Sequence, residues 1–271
     1  PVAAIVSSVR ATLPSGQSVF LHQARENLGY AGGINAALTW LASDPNWRTI
    51  WILNPDTKVH PGALEGALSR LEDGGFGIVG SRLILEESNR IHLYAGRWRP
   101  LMARGLNLGL GAPSDTSPDI AEIERQMNYV CGAAMLVTRS FIEDVGPMDD
   151  RYFLYCEEVD WCLRRQHHRL GYAHDSIVYH GHGTTTGATG THGQRSELSV
   201  YLGERNKLLL TKRFYRPIYP LVMVSTLLLT GQYLAQRSVR NFRAALAGWA
   251  AGLRGEEGIP PRFKRSHGAS A

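Results

Sequence analysis

The sequence predicts an α/β fold, a mostly parallel sheet flanked by helices, followed by a helical C-terminal extension. Two observations predict it. Apolar, β-branched runs of strand length (residues 49–53, 77–83, 129–138 and 172–180) alternate with helix-length segments, with Gly, Pro, Asn or Asp at several junctions. The 271 residues, 44% hydrophobic and 20% charged, suit one large α/β domain, or one domain with an appendage.

Taken in order, residues 2–12 are small and apolar with one Arg and read as a short helix, Pro14-Ser15-Gly16 as a turn, and residues 18–22 as a strand. The run from Glu26 to Asn35, Glu-Asn-Leu-Gly-Tyr-Ala-Gly-Gly-Ile-Asn, opens a helix through Leu41. Glycines there let the backbone approach a ligand, and free N–H groups at a helix start suit phosphate. The spacing is neither GxGxxG nor a P-loop, and a plain strand-to-helix turn reads equally well.

Residues 49–53 read as a buried, central parallel strand ending in Asn54-Pro55-Asp56-Thr57. An acid just past such a strand sits where open α/β sheets bind ligands, although Asn, Pro and Asp are also ordinary turn formers. Residues 61–71 read as a helix with Pro in its first turn, and 77–83 as a strand. Residues 84–127 carry no clear period and read as a hairpin and a mobile loop on the substrate side. Residues 129–138 read as a strand, with Gly132-Ala133-Ala134 permitting close approach, and 139–145 as a short helix ended by Gly146-Pro147.

The run Phe153-Leu154-Tyr155-Cys156-Glu157-Glu158-Val159-Asp160-Trp161-Cys162-Leu163-Arg164 places three carboxylates in four positions. Acids suit the first turn of a helix, and Asp160 and Arg164 are spaced to pair. Carboxylates held against apolar neighbours gain the raised pKa of a general base, while a capped amphipathic helix explains the same pattern without chemistry. After a strand at 172–180, residues 181–193 are Gly- and Thr-rich with His182 and His192, and read as a mobile loop that closes over a ligand.

A long helix over residues 194–215 precedes a second helical region, 217–253. The uncharged stretch 218–230 falls short of the ~20 residues that cross a bilayer, and Arg237, Arg240 and Arg243 follow it. An interfacial helix and a core or homodimer helix carry equal weight. Net charge is +5, with the excess late in the chain, which points to an anionic membrane; without zinc-finger or RNP-type spacing, no nucleic acid is expected. Cys131, Cys156 and Cys162 lack CxxC spacing and suit a reducing cytosol.

With these segments in order, residues 1–216 resemble the family 2 glycosyltransferases, in particular the bacterial rhamnosyltransferase-like branch. The likeness rests on residues 27–35, Asn54-Pro55-Asp56, Cys131-Gly132-Ala133-Ala134-Met135, residues 146–149, Tyr152-Phe153-Leu154-Tyr155, residues 157–164, His180 and Arg205-Asn206. The resemblance implies a GT-A-like domain over residues 1–216, an amphipathic helical region and basic tail over 217–271, and metal-dependent, inverting transfer from a nucleotide-sugar donor. Rhamnose is among the candidate sugars. A polysaccharide or lipid-linked acceptor at the inner, cytoplasmic face of the membrane would account for the basic, apolar C-terminal region.

Carried over by residue, Asn27, Gly29, Gly32, Gly33 and Asn35 would border the donor. Asn54 and Asp56 stand where the family has its DxD motif. Asp56 and His180 would hold Mg²⁺ or Mn²⁺, and Arg205 would contact the donor diphosphate. Glu158 matches the position of the catalytic base, with Glu157 and Asp160 as the other candidates. Asn54 replaces an acid, but its carbonyl remains an oxygen ligand for these ions. The chain does not begin with Met, and the family's opening strand–helix–strand unit, with its Asp-Asn-Ala-Ser-like stretch, would lie ahead of residue 1. Two other readings stay open: a nucleotidyltransferase, and an inactive relative acting as a membrane-bound scaffold.

Overall fold

The computed structural model describes residues 5–181 and 195–263. The segment expected to close over a ligand therefore lies, beyond Gly181, outside the described residues. The chain begins with an antiparallel hairpin, β1 (Ile5–Thr12) and β2 (Ser18–Ala24). It replaces the helix expected over residues 2–12. Ile5, Val6, Val9 and Thr12 are β-branched and stiff, and a turn with Gly16 at φ +88° folds the chain back. The rings of Phe20 and His22 rest on Trp40 at 4.6 and 4.7 Å, which seats the hairpin on α1 (Gly29–Leu41).

There follow β3 (Thr49–Leu53), β4 (Thr57–Val59), α2 (Ala63–Gly74), β5 (Phe76–Leu85), β6 (Arg90–Leu93), β7 (Ala95–Arg99), β8 (Arg104–Leu108), α3 (Ile120–Gln126), β9 (Ala134–Thr138), α4 (Arg139–Val145), α5 (Glu157–Leu163), β10 (Arg169–His180), α6 (Glu197–Phe214), α7 (Tyr219–Leu229), α8 (Gln232–Ala235) and α9 (Val239–Arg254). The central sheet has the order β3-β9-β5-β10-β4, with β6 added on β5, and β7–β8 form a separate hairpin. Helices α2 and α4 pack on it, giving a mixed α/β architecture compatible with a glycosyltransferase fold.

The expectation of a mostly parallel sheet is corrected here. Only β5 and β10 pair in parallel, and every other pairing in the described sheet is antiparallel. The reason is threading: β9 runs back between β3 and β5, and β4 reverses after the Asn54–Asp56 turn to pair with the end of β10. For the same reason β3 is an edge strand among the described residues, only half-buried, and not the central strand its apolar run suggested. The core is centred on Ile78, Met135, Val137, Phe141, Trp161 and Tyr172, all fully buried.

Helix α9 lies on α6, with Gly248 and Gly252 facing the backbone of Tyr201 and Arg205; a Cβ at Gly248 would run into the Tyr201 carbonyl. The uncharged stretch of the C-terminal region continues beyond residue 230 to Gln236, so the expected shortfall in length is not found. By length and composition Arg216–Ala235 is able to cross a membrane. It is nevertheless broken between α7 and α8, and Val222, Thr226 and Tyr233 are buried in the protein. Leu221, Val224 and Leu228 of α7 are exposed.

Candidate active site

The acidic helix α5 is fixed at both ends. At its start, Phe153, Tyr155 and Cys156 all have positive φ (+65°, +74° and +74°), the left-handed region that bulky L-residues avoid. Surrounding hydrogen bonds hold this strained turn. The Asn206 amide donates to the carbonyls of Tyr152, Leu154 and Tyr155 at 3.0, 2.8 and 2.9 Å. Arg205 donates to Tyr152 O at 2.9 Å and to Gly258 O at 2.5 Å. Arg205 is fully buried, so the diphosphate contact expected of it is corrected: its guanidinium is committed to backbone carbonyls and to Asn206 Oδ1, and cannot reach a ligand without unpacking α6.

Asp160, also fully buried, is likewise corrected as a base candidate. Its carboxylate accepts from Arg164 Nε at 2.6 Å, Arg213 Nη1 at 2.8 Å and the Tyr152 hydroxyl at 3.1 Å. Arg164 also donates to Val145 O and Pro147 O, and the Trp161 indole donates to Gly146 O. These contacts pin α5 to the end of α4. Glu157 and Glu158 differ from Asp160. Glu157 is buried, and its Oε2 has no hydrogen-bond partner among the described residues, whereas Glu158 is half-exposed. Burial, then the charge of Glu158, pushes the Glu157 carboxyl well above the usual range. Burial raises Glu158 too, against the backbone N–H groups of Glu158 and Val159.

The glycine-rich turn meets this helix directly. Gly29 sits at φ +73° against Phe153, where a Cβ would strike the Phe153 carbonyl, and Tyr30 N donates to that carbonyl at 2.8 Å. The Tyr30 hydroxyl donates to Gly132 O at 2.5 Å. Burial and the charge of Glu158 raise its pKa, so Tyr30 links the Gly turn, the segment before β9 and the acidic pair. The Asn27 side chain accepts from Gly29 N at 3.0 Å, shaping the turn. Gly32 packs close to the Leu28 side chain, and Gly33 is exposed and faces open space. Asn35 is corrected as a donor contact: both ends of its amide bond the backbone of Met148, at 2.8 and 3.1 Å, welding α1 to the chain before α5.

Asp56 and His180 come together although far apart in sequence. Strands β4 and β10 pair Thr57 with His180, Gly181 N donates to Asp56 O at 2.9 Å, and His180 Nε2 lies 3.3 Å from Asp56 Oδ1. Asn54 N is held by Ala133 O at 3.0 Å, and its side-chain amide makes no hydrogen bond among the described residues. An Asp oxygen and a His nitrogen converging on one point, with an Asn carbonyl nearby in the same turn, fit a divalent cation such as Mg²⁺ or Mn²⁺.

Sequence reasoning missed His92 and the role of Asn206. His92 is buried on β6, its ring stacked on His180 at 5.3 Å, and it lies in the stretch whose pattern gave no signal. Asn206 was visible only as half of an Arg-Asn pair; its three acceptors lie more than 50 residues away.

No family model matches the chain. Over 243 residues it is 21% identical to the low-salt glycan biosynthesis hexosyltransferase Agl10 of Haloferax volcanii, an alignment covering 88% of this chain and 76% of that protein. Over 150 residues it is 27% identical to the N-acetylglucosaminyl-diphospho-decaprenol L-rhamnosyltransferase of Mycobacterium tuberculosis, covering 49% of this chain and 48% of that protein. These homologues are glycosyltransferases, and the chain is consistent with a rhamnosyltransferase-like member of glycosyltransferase family 2.

Proposed function

We propose that the chain is a metal-dependent, inverting glycosyltransferase of GT-A type, transferring a sugar from a nucleotide-diphosphate donor to a polysaccharide or lipid-linked acceptor. The observation that carries the reading is the 3.3 Å approach of His180 to Asp56, two residues singled out separately as ligands of one cation. Mg²⁺ or Mn²⁺, if bound there, would supply neutralising charge for the leaving diphosphate. Asp56, His180 and the Asn54 carbonyl would hold it. The turn shaped by Asn27, Gly29, Gly32 and Gly33 borders the donor, and Glu158 takes the proton of the attacking acceptor hydroxyl. Of the three acids, Glu158 alone combines partial exposure with a pKa that burial raises.

The acceptor side is read at the inner, cytoplasmic face of the membrane. An open cavity of about 460 Å³ at the end of α6, lined by Arg151, Lys212, Arg213 and Arg216 together with Asp149 and Glu257, carries an excess of cations that suits the anionic group of a lipid-linked acceptor. Transfer from labelled nucleotide-sugars to diphosphoprenyl-linked acceptors, with and without Mn²⁺, tests the reading. Donor turnover that is indifferent to chelation and unaffected by Asp56→Ala would overturn it.

A further inference from the structure

On the surface formed by α4 and the turn into β10, Asp144, His167 and His168 place three ligand atoms within 4.8 Å of one another. We propose that this cluster is a second, structural metal site, distinct from the Asp56–His180 pair and selective for Zn²⁺ or a similar borderline ion. His168 Nε2 is 2.9 Å and His167 Nε2 3.9 Å from the same oxygen, Asp144 Oδ2. Two imidazoles and one carboxylate form a donor set typical of zinc, whose bonds of about 2.0–2.2 Å require donors 3–3.5 Å apart. The His168–Asp144 pair is already within that spacing, and the widest separation in the cluster needs to close by about 1.3 Å, within reach of the exposed His167 side chain.

The two histidines divide the work. The His168 side chain is nearly buried and fixed edge-on against Phe141 at 5.3 Å. His167 is exposed, its ring stacked on His168 at 4.3 Å, and free to swing onto the ion. Gln166, at φ +53°, donates from its side chain to Asp144 O and holds the tight turn that presents both rings. Both histidines also line an open groove of about 520 Å³, which leaves room for water in the remaining coordination position. An ion here would strap the end of α4 to the turn that follows α5, beside Arg164.

Tag-free, chelator-stripped protein titrated with Zn²⁺, and with Co²⁺ for its visible absorption, provides the test. One equivalent should bind, raise the thermal midpoint by several degrees, and persist in Asp56→Ala. Asp144→Asn and the exposed His167→Asn should each weaken binding at least tenfold while folding normally without metal. No zinc-dependent shift in the parent protein, or binding that both variants retain, would overturn the site. Failure of the proposed transferase activity would not touch this outcome.

Discussion

His92 Nδ1 lies 3.2 Å from His180 Nδ1, on the side of the imidazole opposite the nitrogen that faces Asp56. To present a lone pair at Nε2, His180 must carry its proton on Nδ1, and His92 is placed to accept it. A buried outer partner of this kind fixes the tautomer and ring orientation of a metal-binding histidine. His92→Ala is expected to weaken Mn²⁺ binding about 10- to 100-fold, the usual cost of losing such a partner. Calorimetry or Mn²⁺ spin resonance on the protein without acceptor measures it. His92→Gln, which keeps an acceptor, should recover part of the affinity; equal affinity in all three proteins would remove His92 from the site.

Glu158→Gln should lower turnover by roughly 10²–10⁴-fold with donor affinity little changed, because a positioned base acts on the acceptor. The acidic limb of the kcat/KM profile should lie above the ordinary Glu pKa of about 4.3, since burial raises Glu158 and the base works only when ionised. A limb at the ordinary value would mean that Glu158 is hydrated and is not the base.

Stability carries the same signature with a definite sign. Glu157 has a raised pKa in the folded protein, so the folded state binds the extra proton. Its contribution is fully present below the ordinary Glu pKa and is lost as pH rises through the raised one. Glu157→Gln should therefore flatten the fall in thermal midpoint between acidic and neutral pH. Parallel curves for the two proteins would contradict the assignment of Glu157 as a buried carboxyl that holds its proton.

Asp160→Asn should cost about 3 kcal/mol in denaturant unfolding, toward the low end for breaking a buried ion pair, because Arg213 keeps a second partner in Asp149. Wild-type stability in this variant would mean that Asp160 does not hold the acidic helix.

Vesicles rich in anionic lipid should float the protein at low salt and release it as salt screens its arginines. Leu228→Asp, at a 74% exposed position, should abolish flotation without altering the thermal midpoint. Flotation unchanged by the substitution would turn attention from α7 to another surface.

What was legible in the sequence was local. The Asn-Pro-Asp turn, the Gly turn with its glycine forced at position 29 and the acidic run are each contiguous, and the structure brings them to one place through Tyr30, Gly132 and Ala133. What was not legible depends on distant partners. Arg205 and Asn35 look like ligand contacts in a linear reading because polar side chains among apolar ones attract that role. Their acceptors, at residues 151–152, 258 and 148, are set only by folding. The direction of β9 was hidden for the same reason, since an apolar strand reads alike whichever way its neighbours run.

The glycine contact between α9 and α6 has a mechanical consequence. Arg205, on the same stretch of α6, grips the chain both before the acidic helix and after α9, at Tyr152 and Gly258. Helix α9 and the turn that opens the acidic helix are therefore braced on the same stretch of α6. If Glu158 is the base and α7 the membrane contact proposed above, the acceptor hydroxyl is offered from a surface whose support is the same helix that holds the acidic turn.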